Sequence, residues 1–476
     1  MRDNQFVVVA NRLPVDRVDG RWVASPGGLV AALAPVLRAN KGCWVGWPGE
    51  PGAHFEPFDN DGITLHAVQL DEEDFHQFYE GFSNSTLWPL YHDLIVTPEY
   101  HRSWWQRYRS VNEKFARAAA DVAAEGATVW VQDYQLQLVP GMLREMRPDV
   151  TIGFFLHIPF PSPDLFRQLP WRAEVLRGLE GADLIGFQRQ RDESNFRDLA
   201  ETFRSQELQG GEAGNTAGTE GTEGIEDTAD TAVARAADDA ANIPRTGTFP
   251  ISIDASEFSL ADESAIAAVR GSVANPRTLI LGVDRLDYTK GILQRLTAIE
   301  ELLKEGRLES VAMIQVATPS RERIASYQKT RAGVEEAVGR INGRYGSLGN
   351  PVVHYEHHSV PKSQLRNYYS AADIMLVTPF KDGMNLVAKE YVACHPDGSG
   401  ALVLSEFAGA AVELDQAHLC NPFDVESVKG AIMEAVDKHG SEEARDAMLA
   451  MNAHVLEHDV ARWADSFLEA LREVER

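Results

Sequence analysis

Cysteine is scarce: the 476 residues contain three (Cys43, Cys394, Cys420), far apart and without a CxxC pair. That excludes a disulfide framework and a thiolate zinc site. Positive charge is also short. There are 45 basic residues against 71 acidic ones, a net charge of −26, and only ten of the basic residues are lysine. No overall basic surface is available to displace phosphate counterions, which excludes nucleic acid as a partner. An acidic, lysine-poor surface fits a salty or crowded cytoplasm, although a biased genomic base composition leaves the same signature. Long apolar runs are missing too. Phe6 to Ala10 is too short for a signal-peptide core, and no stretch reaches the roughly 18 apolar residues of a membrane span. A cytoplasmic protein with no membrane partner is expected. Neither GxGxxG after a strand nor the P-loop GxxxxGKS/T occurs, which weakens a dehydrogenase or an ATPase.

What is present is ample core material, 44% hydrophobic residues, in a chain long enough for two large domains or three smaller ones. Short runs rich in Val, Ile and Leu alternate with helical patterns. Strands are predicted at Phe6–Ala10, Thr128–Val131, Ile152–Leu156, Leu184–Phe187, Thr278–Val283, Val311–Val316, Val352–Tyr355, Ile374–Thr378 and Ala401–Leu404. Such continuous apolar runs suit parallel strands covered on both faces. Leu29–Leu37, Glu113–Ala123 and Leu293–Leu303 read as connecting helices, giving an α/β class with doubly wound sheets. Near the C-terminus, Val428, Ile432, Val436, Met448, Met451, Val455, Trp463, Phe467 and Leu471 recur at helical spacing and read as core positions. One segment breaks the pattern. Gln206–Asn242 has nine acids, one base and no aromatic residue, too little apolar surface to offset its ordering entropy, and is expected to be a mobile surface insertion. Thr248–Ile251 then reads as a crossover between two domains.

In open α/β sheets ligands bind where loops leave the carboxyl ends of strands. The first strand ends in Asn11-Arg12-Leu13-Pro14, and Gly27-Gly28 opens the next helix, either as an anion-binding helix start or as a tight turn. Arg285 and Lys290 flank the loop after Thr278–Val283, where they either converge on one phosphate or pair with Asp284 and Asp287 in a surface network. After Ile374–Thr378 come Asp382, Gly383 and Asn385 at a helix start, with Glu390 inside the helix, either an anion and ribose site or an ordinary helix cap. His354, His357 and His358 cluster, and His454 and His458 lie i, i+4, but neither group has the further ligands of a metal site. No metal and no cofactor are expected.

These motifs occur in one order: Ala10-Asn11-Arg12-Leu13-Pro14, Gly27-Gly28, Phe82-Ser83-Asn84 with Leu87-Trp88-Pro89, His157-Ile158-Pro159-Phe160-Pro161, Arg285 to Gly291, Arg340-Ile341-Asn342-Gly343, Asp382 to Tyr391 and Ser405 to Ala411. Together they resemble the trehalose-6-phosphate synthase family, retaining glycosyltransferases of family 20 with the GT-B fold. The resemblance covers nearly the whole chain outside the insertion. It implies two Rossmann-like doubly wound domains facing a cleft: residues 1–249 for the acceptor, 250–456 for the nucleotide sugar, and a helix in 457–476 that returns to the first domain. The implied activity transfers glucose from a nucleoside diphosphate glucose, usually UDP-glucose, to glucose 6-phosphate. These two small molecules are the expected partners, in a homo-oligomer.

Carried over by motif, the resemblance implies that Arg285 and Lys290 hold the donor diphosphate and that Gly27 and Gly28 lie against it. Leu386, Val387, Ala388, Lys389 and Glu390 would hold the nucleotide sugar, with Glu390 on the ribose and Ser359 near the base. Asp382 and His157 would contact the transferred glucose. Arg12, Tyr79, Trp88, Asp133 and Arg321 would hold the acceptor, with Asp133 orienting it. Arg285, Lys290, Asp382, His157 and Asp133 form the expected catalytic set. The family commonly has His-Asp-Tyr-His-Leu where this chain has Gln132-Asp133-Tyr134-Gln135-Leu136, which raises an altered acceptor preference. Competing expectations are a glucosylglycerol-phosphate synthase and a non-catalytic regulatory relative.

Overall fold

The structure, a computed structural model, describes residues 4–18, 21–24, 28–39, 41–214 and 243–474. In chain order the strands are β1 (Asn4–Arg12), β2 (Val15–Val18), β3 (Arg21–Ala24), β4 (Cys43–Trp47), β5 (Phe58–Asn60), β6 (Ile63–Ala67), β7 (Ala123–Gln132) and β8 (Thr151–Phe155). They continue with β9 (Leu184–Phe187), β10 (Arg245–Thr248), β11 (Thr278–Arg285), β12 (Val311–Thr318), β13 (Val353–Glu356), β14 (Ile374–Val377), β15 (Ala401–Ser405) and β16 (His418–Cys420). Eight strands form one sheet in the order β10-β9-β8-β7-β1-β4-β6-β5, and six form a second in the order β13-β12-β11-β14-β15-β16. All neighbours run parallel except β5 against β6.

The predicted apolar runs all became strands because both of their faces are covered. In β1, Phe6 and Val8 face one apolar cluster while Val7 and Val9 face another. In β14, Met375 and Val377 alternate with Ile374 and Leu376 in the same way. Side-chain direction reverses at each residue along a strand, so a buried strand needs apolar residues at every position. Each such Val, Leu or Ile contributes about 1.5–3 kcal/mol by leaving water. The first of these clusters runs from Val8, Trp130 and Phe155 in one sheet to Leu281 and Met375 in the other, so the sheets share a core.

The final helix, Val460–Arg472, carries the apolar stripe Trp463, Phe467 and Leu471. The stripe packs on the first sheet: Phe467 stacks on Trp130 with centroids 4.5 Å apart, and Trp463 meets Phe155 edge-on at 5.1 Å. The Asp459 side chain caps the helix on the Arg462 N–H, and the Val460 N–H donates to the carbonyl of Ile253.

Two expectations change. The segment read as a mobile insertion from Gln206 begins as helix, because Gln190–Gly214 is continuous; extending a formed helix fixes one residue per added hydrogen bond and is far easier than starting one. Residues 215–242 of that segment lie outside the described residues. The predicted strands also omit β4, β5, β6, β10 and β16 and the hairpin β2–β3; β5, β10 and β16 are short or polar, whereas β4 is five buried residues.

Candidate active site

Each sheet changes strand direction of travel at one point: between β1 and β7 in the first, and between β11 and β14 in the second. Diverging loops open a crevice at such a point. Arg12 and Asp133 stand at the first, at the ends of β1 and β7; Arg285, the last residue of β11, and Asp382, in the loop after β14, stand at the second. The two edges face each other. A Cβ at Gly383 would collide with the carbonyl of His157, in the loop after β8 of the opposite sheet, so only glycine permits this approach. Lys381 reaches Asp93 at 2.6 Å, and Arg323 reaches Glu72 at 3.3 Å, across the same junction.

Lys290 closes the centre. Its Nζ donates to Oδ2 of Asp382 at 2.5 Å, and Asn385 Nδ2 donates to the same oxygen at 3.1 Å. Burial alone would raise the Asp382 carboxyl, but Lys290 and Asn385 outweigh it and hold it below the usual carboxylate value. Lys290 sits on a turn that needs Gly291 at φ 62°, where a Cβ would strike the Thr378 carbonyl. Arg285 is exposed, with its guanidinium 5.4 Å from the Trp88 ring centroid and no ion pair among the described residues.

The alternative in which Asp284 and Asp287 absorb these two cations does not occur. Asp284 is taken by the fully buried Arg295 at 2.6 Å. Arg295 also donates to Thr378, Gln315 and the Lys290 carbonyl, so it fixes the backbone under the Lys290 turn. Asp287 accepts from Arg321 at 3.3 Å and from the Tyr327 hydroxyl at 2.9 Å. Burial pushes the Asp287 carboxyl up, yet Arg321, Arg285 and Lys290 bring it below the usual value.

Arg321 spans the crevice. It lies 4.0 Å over the Trp88 ring, donates to Tyr134 Oη at 3.2 Å and bonds Tyr327. Its Nε and the Trp88 Nε1 are buried donors without a protein acceptor. Tyr79 flanks this corner, half-buried and stacked on Phe75. Arg12 pairs with Asp16 at 2.5 Å and lies 5.0 Å over Trp47. Three residues of the crevice hold positive φ without being glycine: Asp133 (72°), Arg321 (48°) and Asn385 (88°). Such backbone costs about 1–3 kcal/mol per residue and concentrates where side-chain aim matters.

Asp133 receives the backbone N–H of His157 at 3.1 Å. Burial pushes its carboxyl up to about 6, against the N–H groups of Tyr134 and His157 and the charges of Arg285 and Arg321. His157 bonds Gln132 Oε1 through Nε2 at 2.9 Å, and burial lowers its pKa to about 3.

The segment Leu386 to Glu390 opens a helix capped by Asn385, whose side chain accepts from Ala388 N–H. The Glu390 carboxylate accepts from Tyr369 Oη at 2.7 Å and is raised by burial. The Lys389 ammonium is committed elsewhere, to Glu413 at 2.7 Å and the Ile251 carbonyl at 2.9 Å, leaving only its backbone for a ligand. Ser359 lies exposed in the loop after β13, and Gly28 is the first residue of helix Gly28–Ala39. Gly27 lies outside the described residues.

Arg295, Gln188, Gln315 and Tyr327 escaped the motif reading. Arg295 had a visible signal: it interrupts the buried helical stripe Ile292, Leu296, Ile299 and Leu302. Gln315, likewise, is the one polar residue inside the apolar run of β12.

Two facing Rossmann-like sheets, with Arg12, Arg285, Lys290 and Arg321 gathered at the crevice between their switch points, have the GT-B architecture. A family model described as Glycosyltransferase family 20 matches residues 4–473, and the chain belongs to that family. It is 53% identical to a trehalose-6-phosphate synthase of Mycolicibacterium gilvum, over 98% of this chain and 93% of the relative. An α,α-trehalose-phosphate synthase (UDP-forming) of Burkholderia xenovorans, solved in complex with glucose-6-phosphate, superposes with a TM-score of 0.83 at 31% identity, covering 98% of this chain and all of that one. An E. coli structure named for trehalose-6-phosphate and bound with UDP-2-fluoro glucose gives 0.82 at 31% identity, covering 98% and 99%. No helix among the described residues is long and apolar enough to cross a membrane.

Proposed function

We propose that this chain transfers glucose, with retention, from a nucleoside diphosphate glucose to glucose 6-phosphate, giving trehalose 6-phosphate and the nucleoside diphosphate. The observation that carries the reading is the 53% identity to a trehalose-6-phosphate synthase along nearly the whole chain. The crevice supports it chemically. Arg285 and Lys290 stabilise charge developing on the departing diphosphate; a pre-placed donor of this kind contributes about 3–4 kcal/mol in the transition state. Arg321 and Arg12 receive the acceptor phosphate, for which a guanidinium fork is suited. Arg321 does this while held by Asp287, Tyr327 and Tyr134, so its pose exists before substrate arrives.

The acceptor hydroxyl oxygen bonds to the anomeric carbon as the bond from that carbon to the phosphate oxygen breaks. Its proton passes to the departing phosphate, on the face the leaving group vacates. Positioning carries much of the acceleration. Asp133 orients the acceptor, Asp382 and His157 border the transferred glucose, and Glu390 takes the ribose. Lys389 contributes its backbone only.

Release of nucleoside diphosphate, followed with UDP-, GDP- and ADP-glucose and with glucose 6-phosphate or glycerol 3-phosphate as acceptor, tests the reading. Trehalose 6-phosphate is the expected product. Faster turnover with glycerol 3-phosphate, or no transfer from any donor, overturns it.

A further inference from the structure

His157 is the only imidazole of the proposed catalytic set, and both of its ring nitrogens have protein partners. Nε2 meets Gln132 Oε1 at 2.9 Å, and Nδ1 meets Gln188 Nε2 at 3.4 Å. An amide can be turned either way, so the protonation of the ring depends on which end of each glutamine faces it. Here the ambiguity is removed by the backbone. The N–H of Ile251 donates to Gln188 at 2.8 Å, and an N–H can only donate, so Gln188 presents its oxygen to Ile251 and its NH2 to His157. Nδ1 must then be a bare lone pair. A neutral ring with a bare Nδ1 carries its proton on Nε2, where it donates to the Gln132 oxygen. The Gln132 NH2 is left over, and that atom is indeed buried without a protein acceptor. Protonating Nδ1 would set N–H against NH2. The cationic ring is therefore opposed by hydrogen-bond geometry, and both glutamines are anchored: Gln132 ends β7, Gln188 follows β9, and both are buried.

The remaining surroundings do not reverse this. The ring packs against Phe155 at 4.7 Å and Trp463 at 6.0 Å. The charged groups on the adjoining elements are Asp133, bonded to the His157 backbone, and Asp382 with Lys290 on the loop that meets the His157 carbonyl. Arg189 and Arg462, next to Gln188 and Trp463 in the chain, are turned to Asp192 and Glu457.

We propose that Gln132 and Gln188 are positioning residues that fix His157 as the neutral Nε2–H tautomer, so that this imidazole orients substrate and exchanges no proton in turnover. The clause about turnover rests on the proposed function; the tautomer does not. The ring is also tied to the segment joining the two sheets, because the Ile251 carbonyl is held by Lys389 of the Leu386–Ala393 helix.

The test is a set of ¹H–¹⁵N spectra of the full chain labelled with ¹⁵N-histidine, taken without substrate, with His157→Asn to identify the signal. In the wild type the ring should show the Nε2–H pattern unchanged between about pH 5 and 8, the window in which an ordinary histidine titrates. In Gln188→Glu one carboxylate oxygen still accepts from Ile251 while the other faces Nδ1 and favours a proton there. The His157 pKa should rise by about 1–3, and kcat should gain an acid limb that follows the neutral ring while KM for both substrates holds. Gln188→Met should release the ring into a mixture of tautomers. An Nδ1–H pattern in the wild type, or a wild-type ring that titrates in that window, overturns the proposal even if the variants fail to fold. So does a Gln188→Glu spectrum identical to the wild type. Because the spectra need no turnover, failure of the proposed reaction would leave them standing.

Discussion

Replacing Lys290 with alanine is expected to lower kcat by about a hundred- to a thousandfold and to make the protein's stability depend on pH in a new way. The kinetic part follows from removing one pre-placed donor from the departing diphosphate, about 3–4 kcal/mol. The stability part follows from Asp382. The pair is largely enclosed, its side chains 11% and 16% exposed, and the Nζ lies 2.5 Å from Oδ2. In the wild type Lys290 holds the Asp382 carboxyl below its usual value despite burial. That carboxylate therefore contributes stability above the unfolded pKa of about 3.9, lost as pH falls through the lower folded value. Without Lys290 the burial effect is left largely unopposed and the folded pKa moves above the unfolded one. The variant should then lose up to about 3–5 kcal/mol at neutral pH, less whatever Asp382 recovers by taking a proton. Since a raised carboxyl costs stability only as pH rises past the unfolded pKa, the deficit should shrink on acidification toward pH ~4. Thermal midpoints at pH 7 and pH ~4, beside nucleotide-release kinetics, measure both. Adding Asp382→Asn should restore the midpoint but not the turnover. A kcat within about threefold of wild type would remove Lys290 from the chemistry, and a pH-independent deficit would refute the electrostatic argument.

Arg285→Ala should cost about a hundredfold in turnover with a much smaller loss of thermal midpoint than Lys290→Ala, because the exposed side chain makes no ion pair among the described residues and acts on Asp287 and Asp133 only through space. Asp133→Asn should separate stability from activity. Its carboxyl is pushed up to about 6 by burial, so the amide should gain roughly 3 kcal/mol at pH 7, vanishing below the unfolded carboxylate pKa, while transfer to glucose 6-phosphate collapses. Denaturant melts at the two pH values and a product assay decide this. Trp463→Ala should destabilise by about 3–5 kcal/mol, read from the same melts, by lifting the final helix off Trp130 and Phe155.

Much of the fold was legible because parallel strands covered on both faces must be apolar at every position, and nine such runs stand out along the chain. Strands as short as β16 or as polar as β10 carry too few residues for periodicity to register. The motif residues were legible at strand ends. Their partners were not: Lys290 and Asp382 are 92 positions apart, and Arg321 and Tyr134 are 187 apart. Local charge pattern left open whether Arg285 and Lys290 pair with Asp284 and Asp287 or converge on one anion, and burial set those carboxylates against Arg295 and Arg321 instead.

By itself, then, the sequence determined the α/β class, the order of its βα units and the strand-end loops that bear the chemistry, because all of these are written in short-range periodicity and contiguous motifs. It also determined an acid excess of −26, which says nothing of the four basic side chains gathered at the crevice. Only the tertiary structure decided how the charges of that crevice are paired: which arginines are spent on buried carboxylates, that Lys389 turns away while Lys290 turns in, and that two glutamines and one backbone N–H set the proton on His157. Those outcomes depend on distances between residues remote in the chain and on which of them lose water, quantities that exist only once both sheets have packed.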